Sequence, residues 1–227
     1  MRRLMRSLST VLILAGVLLI ADAVLTVTWQ EPVSWLYAQR QQGRLDDQLK
    51  ALTDDRLPEA DKRVLAKLQD DRRRLAFAAR SLDRRRPDGT AVGRLRMRRI
   101  GLDTVVVQGT DHDALQNGPG HYPDTPLPGA SGTVGIAGHR TTYGAPFRNI
   151  NKLRKGDPIV IEMPYGRFTY EVERTRIVPP TATWVTQRVS YDRLILSACH
   201  PLYSAAKRIV VFARLVESAP RGTAARS

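Results

Sequence analysis

Cys199 is the only cysteine of the 227-residue chain. It ends the apolar run Leu194-Ile195-Leu196-Ser197-Ala198 and enters a turn at His200-Pro201. Nine residues on, Arg208 opens a second apolar run, Ile209-Val210-Val211-Phe212-Ala213. A lone thiol has no intramolecular disulfide partner. The thiolate is the nucleophilic form of cysteine, and a nearby guanidinium favours it. If the two runs pair antiparallel across the loop 199–206, residues 199 and 208 stand opposite each other within a residue or so. Their Cβ atoms would then lie about 4.5–5.5 Å apart. The competing readings are a small buried hydrophobe for Cys199 and a salt bridge to an acidic neighbour for Arg208.

A nucleophilic thiol needs a base, and there are four histidines to choose from. His200 adjoins Cys199, and successive residues of an extended chain point to opposite faces, which makes it a poor partner for that thiol. His112 and His121 lie in loop-like sequence rich in Asp, Gly and Pro. His139 ends the run Gly132-Thr133-Val134-Gly135-Ile136-Ala137-Gly138, whose glycines permit close backbone approach. It therefore stands at a strand terminus, as Cys199 does, and a groove at one rim of a barrel would bring the two together. The alternative is a plain surface-loop histidine.

The elements that must position these residues begin after Pro87-Asp88-Gly89, a turn signal and the expected domain boundary. Beyond it the pattern predicts strands over Val92–Arg98, Asp103–Gln108, Gly132–Ala137, Pro158–Met163, Phe168–Val178, Leu194–Ala198 and Lys207–Val216. Tyr165-Gly166 reads as a hairpin turn, and Asp111 as the cap of a short helix over 111–116. Short strands without helices long enough for parallel crossovers predict a mainly β domain, a closed or nearly closed barrel dominated by antiparallel pairing.

Ahead of that domain, Arg2, Arg3 and Arg6 precede a stretch from Val11 to Trp29 with a single charge, Asp22. Its length is close to the ~20 residues of a spanning helix. The positive-inside bias places residues 1–10 in the cytoplasm, 11–29 in the membrane with Trp29 and Trp35 at the far interface, and the rest outside the cell. A cleaved signal with Ala21-Asp22-Ala23 at the cut is the competing reading, although the apolar run continues beyond it. Either way Cys199 is exported, where an unpaired cysteine calls for a reactive or intermolecular role. Residues 30–88 read as a polar helical stalk without chemistry, with Leu45, Leu49 and Leu52, then Leu65, Leu68, Leu75, Ala79 and Leu82 at helical spacing. The catalytic domain is expected over 89–217 and a disordered tail over 218–227.

The net charge is +14, and residues 1–100 carry 21 Lys and Arg against 12 Asp and Glu. Such an excess attracts polyanions, including anionic lipid and acidic wall polymer. Zinc-ligand spacing, an RNA-binding aromatic signature and a Gly-rich phosphate loop are all missing from the sequence, and so is an acidic cluster suited to calcium. No cofactor, metal or nucleic-acid partner is expected.

Gly135-Ile136-Ala137-Gly138-His139-Arg140, Phe147-Arg148-Asn149-Ile150, Leu196-Ser197-Ala198-Cys199-His200-Pro201 and Arg208-Ile209-Val210-Val211-Phe212-Ala213 together resemble the sortase family, and within it the class E sortases of actinobacteria. The resemblance spans about residues 90–216. It implies an eight-stranded sortase-type β-barrel and a transpeptidase whose triad falls on His139, Cys199 and Arg208. The class E tyrosine falls on Tyr122 in Gly120-His121-Tyr122-Pro123, where it implies acceptance of a Leu-Ala-x-Thr-Gly signal rather than Leu-Pro-x-Thr-Gly. Ala198 departs from the family's Thr-Leu-x-Thr-Cys, standing where a substrate-positioning threonine is usual; the departure bears on motif preference and turnover, not on the nucleophile. The implied partners are exported proteins with a C-terminal sorting signal, and an amine acceptor on a peptidoglycan precursor or a pilin. A hydrolysing cysteine peptidase with the same three residues, and a non-enzymatic basic scaffold, are the alternatives.

Overall fold

The computed structural model describes residues 2–28, 32–54 and 58–225. Helix α1 (Arg2–Thr28) carries the apolar stretch, and its segment Arg6–Ala23 is long and apolar enough to cross a membrane. The leucines and isoleucines from Leu8 to Ile20 touch no protein core, which suits a lipid surround. Trp29 lies outside the described residues, as does the side chain of Trp35.

The catalytic-domain candidate is a closed barrel of strands β1 (Ala91–Met97), β2 (Leu102–Gln108), β3 (Gly120–His121), β4 (Thr133–Ala137), β5 (Pro158–Met163), β6 (Gly166–Val178), β7 (Arg193–His200) and β8 (Lys207–Pro220). Neighbours run in the order β1-β2-β3-β4-β7-β8-β6-β5, and β5 pairs with β1 to close the ring. Closure removes the sheet edges that would otherwise be exposed. Two pairs, β2 with β3 and β4 with β7, are parallel; the others are antiparallel. The seven expected strands are all present within a few residues of their expected ends. The eighth strand, β3, had no counterpart among those seven, because at two residues it is too short to leave a periodic signal. The β5–β6 hairpin turns at Pro164-Tyr165, one residue before the expected Tyr165-Gly166.

Alternation along the strands decides which side chains fill the barrel. Leu194, Leu196 and Ala198 of β7 join Val134 and Ile136 of β4 and Ile209 and Val211 of β8 in the main core. Leu194, Leu196 and Val211 have no solvent exposure, and each is worth about 1.5–3 kcal/mol of apolar burial. The intervening residues Ile195, Ser197 and Cys199 point to the outer face.

The segment expected as a free stalk is instead packed on the barrel. Helix α2 (Pro32–Asp54) lies along β1 and β2 with Leu45 buried against Val105 and Val107. Its Gln42 carboxamide accepts from the Val105 amide (2.7 Å) and the Thr104 hydroxyl (2.9 Å), and donates to the Asn117 carbonyl (2.9 Å). Because β3 covers only Val107 and Gln108, the rest of that β2 edge lacks a strand neighbour, and Gln42 supplies the missing hydrogen bonds. Helix α3 (Glu59–Lys67) leads into α4 (Asp71–Asp83), which Asp70 caps by accepting from the Arg73 amide at 2.8 Å. Leu75, Ala78, Ala79 and Leu82 of α4 belong to the main core. Arg72 of α4 turns outward to Asp192.

The tail expected over 218–227 is ordered through Ala225. Strand β8 continues to Pro220, and a 3-10 turn follows at Gly222–Ala224. The cause is the buried Arg74 guanidinium of α4, which donates to the Ala224 carbonyl (2.9 Å), the Ala225 carbonyl (2.8 Å) and the Leu68 carbonyl (3.1 Å). Those contacts tie the last turn to α4.

Candidate active site

Two registers build the site. The β7–β8 ladder pairs Cys199 directly with Arg208, as the hairpin arithmetic required. The parallel β4–β7 ladder pairs Ile136 with Leu196 and Ala137 with Ser197, and the Gly138 amide continues it by donating to the Ser197 carbonyl at 3.0 Å. His139 lies two residues past Ala137, and Cys199 two past Ser197. Parity along β7 and β8 puts Cys199 and Arg208 on one outer face, and His139, just past the end of β4, stands at the same rim. Cys199 is half-buried.

The glycines of β4 are needed for close approach. A Cβ on Gly138 would stand 2.6 Å from the Phe147 ring, and one on Gly135 would stand 2.6 Å from the Tyr122 ring. Phe147 also donates its amide to the His139 carbonyl at 2.9 Å, closing a loop from 139 to 147. At its tip, Tyr143 and Ala145 adopt left-handed φ values of 50° and 43°, uncommon for residues with a side chain. That bend lays the Tyr143 ring over His139, with centroids 5.1 Å apart, and against His112 at 6.2 Å. The His139 Nε2 is buried and has no hydrogen-bond partner among the described residues. Burial lowers the pKa of His139, and the neighbouring His112 lowers it further.

Arg208 is on the right face, but its guanidinium bonds its own turn. Nη1 donates to the carbonyls of Ala205 (2.9 Å) and Lys207 (3.1 Å). Tyr122 sits over Gly135 and shares a 2.8 Å hydrogen bond with the hydroxyl of Ser197, two residues before Cys199 on the same face. Ala198, by contrast, is 3% exposed and packs inside the barrel with Leu196 and Ile209. Its side chain therefore faces away from the Cys199 surface, a correction to its expected place among the substrate-contacting residues.

His112 stays near His139 through Tyr143, and His121, expected in a loop, is buried in β3. His200 pairs with Lys207 on the opposite parity, and its Nδ1 accepts from Arg140 at 3.3 Å. His121 is fully buried, with Nδ1 at 3.0 Å from the Gln108 carboxamide oxygen and Nε2 at 3.2 Å from the Pro126 carbonyl. Burial pushes its pKa down to about 4, so it is a neutral structural group. Arg140 is the residue that sequence reasoning passed over. It is almost fully buried, adjoins His139 in sequence and bonds the Cys199 carbonyl, and the only available signal was an arginine directly after the Gly138-His139 pair. A cavity of about 430 Å³ lies between α2 and the β2–α5 side, α5 being His112–Asn117, with Tyr143 on its wall.

A half-buried thiol, an imidazole and a guanidinium on one exposed rim can together perform nucleophilic acyl chemistry on a bound peptide. Comparison with known proteins agrees with that chemistry. A sortase-domain family model matches residues 95–216. Sortase D of Bacillus subtilis is 36% identical over 132 residues, covering 56% of this chain and 65% of that protein. Sortase SrtE1 of Streptomyces coelicolor is 35% identical over 116 residues, covering 45% of this chain and 33% of that protein. The chain thus matches less than two thirds of the length of either relative. Among solved structures, sortase E from Streptomyces avermitilis superposes with a TM-score of 0.54 at 32% identity, covering 59% of this chain and 93% of that one. With the barrel order, the shared rim and a family match over more than half its length, the chain belongs to the sortase family.

Proposed function

We propose that this protein is a membrane-tethered class E transpeptidase that cleaves a Leu-Ala-x-Thr-Gly or closely related C-terminal signal between Thr and Gly. What supports the reading is the common rim of His139, Cys199 and Arg208, at the ends of strands paired in the β4–β7 and β7–β8 registers. The Cys199 thiolate attacks the threonine carbonyl and forms a tetrahedral oxyanion. Arg208 leaves the Ala205 and Lys207 carbonyls and donates to that oxyanion; loss of such a donor typically costs ~10²–10³ in rate. His139, as imidazolium, protonates the glycine nitrogen as the C–N bond breaks, leaving a thioester on Cys199. An acceptor amine then attacks the thioester, His139 takes its proton, and the thiolate departs as the new amide forms. The acceptor is an amine of a peptidoglycan precursor or of a pilin lysine.

Tyr122 supports the alanine-type motif preference, since its ring and hydroxyl border the Cys199 face beside Ser197. Helix α1 would span the membrane with Arg2, Arg3 and Arg6 on the cytoplasmic side, placing the barrel outside the cell where exported substrates pass. The test is to incubate the detergent-solubilised full chain with a labelled Leu-Ala-x-Thr-Gly peptide and a free amine. An amine-linked product and a trapped adduct on Cys199 are expected, both lost in Cys199→Ala. Hydrolysis with no linked product would make the chain a peptidase. Retained transfer in Cys199→Ala would refute thiol catalysis altogether.

A further inference from the structure

Arg140 directly follows His139, and it is 4% exposed. Its Nη1 donates to the Cys199 carbonyl at 3.2 Å and to His200 Nδ1 at 3.3 Å. Its Nη2 donates to the Asn151 carboxamide oxygen at 3.1 Å and to the Arg148 carbonyl at 3.4 Å. One side chain therefore joins three segments: the turn that presents His139, the end of β7 that presents Cys199, and the 148–151 turn. An always-charged planar fork with several fixed donors can do this; a lysine, with one rotatable head, cannot reproduce it.

The charge has an electrostatic consequence as well. None of the hydrogen-bond acceptors around Arg140 is a carboxylate, so burial of this cation is costly on its own. Burial lowers its pKa most, the like charge of Arg148 lowers it further, and only the thiolate form of Cys199 raises it. The charged and titratable groups around this corner are His139 on the same segment, His200 from β7, Lys207 and Arg208 from β8, and Arg148 from the loop. Arg208 bonds the carbonyls of its own turn.

We propose that Arg140 is a positioning residue: its buried guanidinium clamps the backbones that carry His139 and Cys199 into one frame. The effect on peptide transfer rests on the transpeptidase reading above; the clamp does not.

The test compares the full chain with Arg140→Gln and Arg140→Lys. Three quantities are read: amide hydrogen exchange over residues 139–151 and 199–208, kcat and KM for peptide transfer, and the thermal midpoint. Both variants lose the planar fork, so exchange over those segments rises and kcat falls about tenfold or more, with KM little changed. A folded Arg140→Gln chain with wild-type exchange and kcat overturns the proposal. Should Arg140→Gln not fold, Arg140→Lys and Asn151→Ala decide. Reduced kcat in both supports the clamp, and wild-type kcat in both overturns it. Hydrogen exchange needs no sorting peptide. A chain that transfers no peptide, yet shows the faster exchange in Arg140→Gln, rejects the transpeptidase reading and retains the Arg140 assignment.

Discussion

Replacing Gly135 with alanine tests whether Tyr122 is held in the position that borders Cys199. The added Cβ would stand 2.6 Å from Tyr122 Cδ2, 3.2 Å from Cγ and 3.3 Å from Cβ. These are ring-root atoms, and the backbone behind them is pinned. The Tyr122 amide donates to the Gly135 carbonyl at 3.0 Å, while the Tyr122 carbonyl accepts from the Thr125 amide at 3.0 Å and its hydroxyl at 2.9 Å. The ring must rotate instead, carrying its hydroxyl away from Ser197, where it makes a 2.8 Å hydrogen bond. Overpacking of this kind costs about 1–3 kcal/mol, and loss of the hydrogen bond about 0.5–1.5 kcal/mol more. In a Tyr122→Ala background the methyl enters vacated space, so the same substitution is expected to cost close to nothing. Denaturant unfolding of wild type, both single variants and the double variant gives the coupling energy directly, expected at about 1–3 kcal/mol. Peptide-transfer kinetics on the same four proteins should show kcat/KM falling in Gly135→Ala as it does in Tyr122→Ala. Additive stabilities, or a Gly135→Ala chain with wild-type unfolding and transfer, would refute the placement of Tyr122 over β4.

Three further outcomes follow from the same geometry. His112 lowers the pKa of His139, so His112→Gln should raise it and move the alkaline limb of the transfer rate, where the imidazolium is lost, to higher pH; an unmoved limb in kcat/KM profiles counts against His139 as the acid. His121 titrates at about 4 in the folded protein against 6.5 for the free side chain. Its contribution is complete above pH 6.5 and lost as pH falls toward 4, by about 3 kcal/mol, and His121→Gln should flatten that part of the thermal-midpoint profile. Arg74→Ala removes the donors that hold Leu68, Ala224 and Ala225 and should destabilise the chain by on the order of 3 kcal/mol, with proteolysis beginning at the C-terminus.

How far the site could be read from the chain depends on the sequence distance each contact spans. The opposition of Cys199 and Arg208 was legible because a hairpin register follows from counting along one short loop. His139 was legible only as a reactive residue at a strand end. Its approach to Cys199 depends on the parallel β4–β7 ladder, joined through β5 and β6, and no local pattern encodes that pairing. Ala198 was misplaced for a related reason: its neighbour is the nucleophile, but alternation turns its side chain to the core. The stalk looked polar because α2 and α4 carry only narrow apolar faces. Gln42, which completes the β2 edge, reads as an ordinary solvent-facing residue.

The order of apolar and glycine-broken runs determined by itself that the chain forms a β domain behind an apolar helix, since side-chain alternation is a local property of each strand. It also determined which thiol, imidazole and guanidinium stand at strand ends. Tertiary structure alone decided that the histidine and the cysteine share a rim, that Arg140 is buried and bonds the Cys199 carbonyl, and that the helices before the barrel are part of its wall. Each of those depends on which strands become neighbours, and that choice is made by closing the whole ring and filling one interior, which no single segment carries.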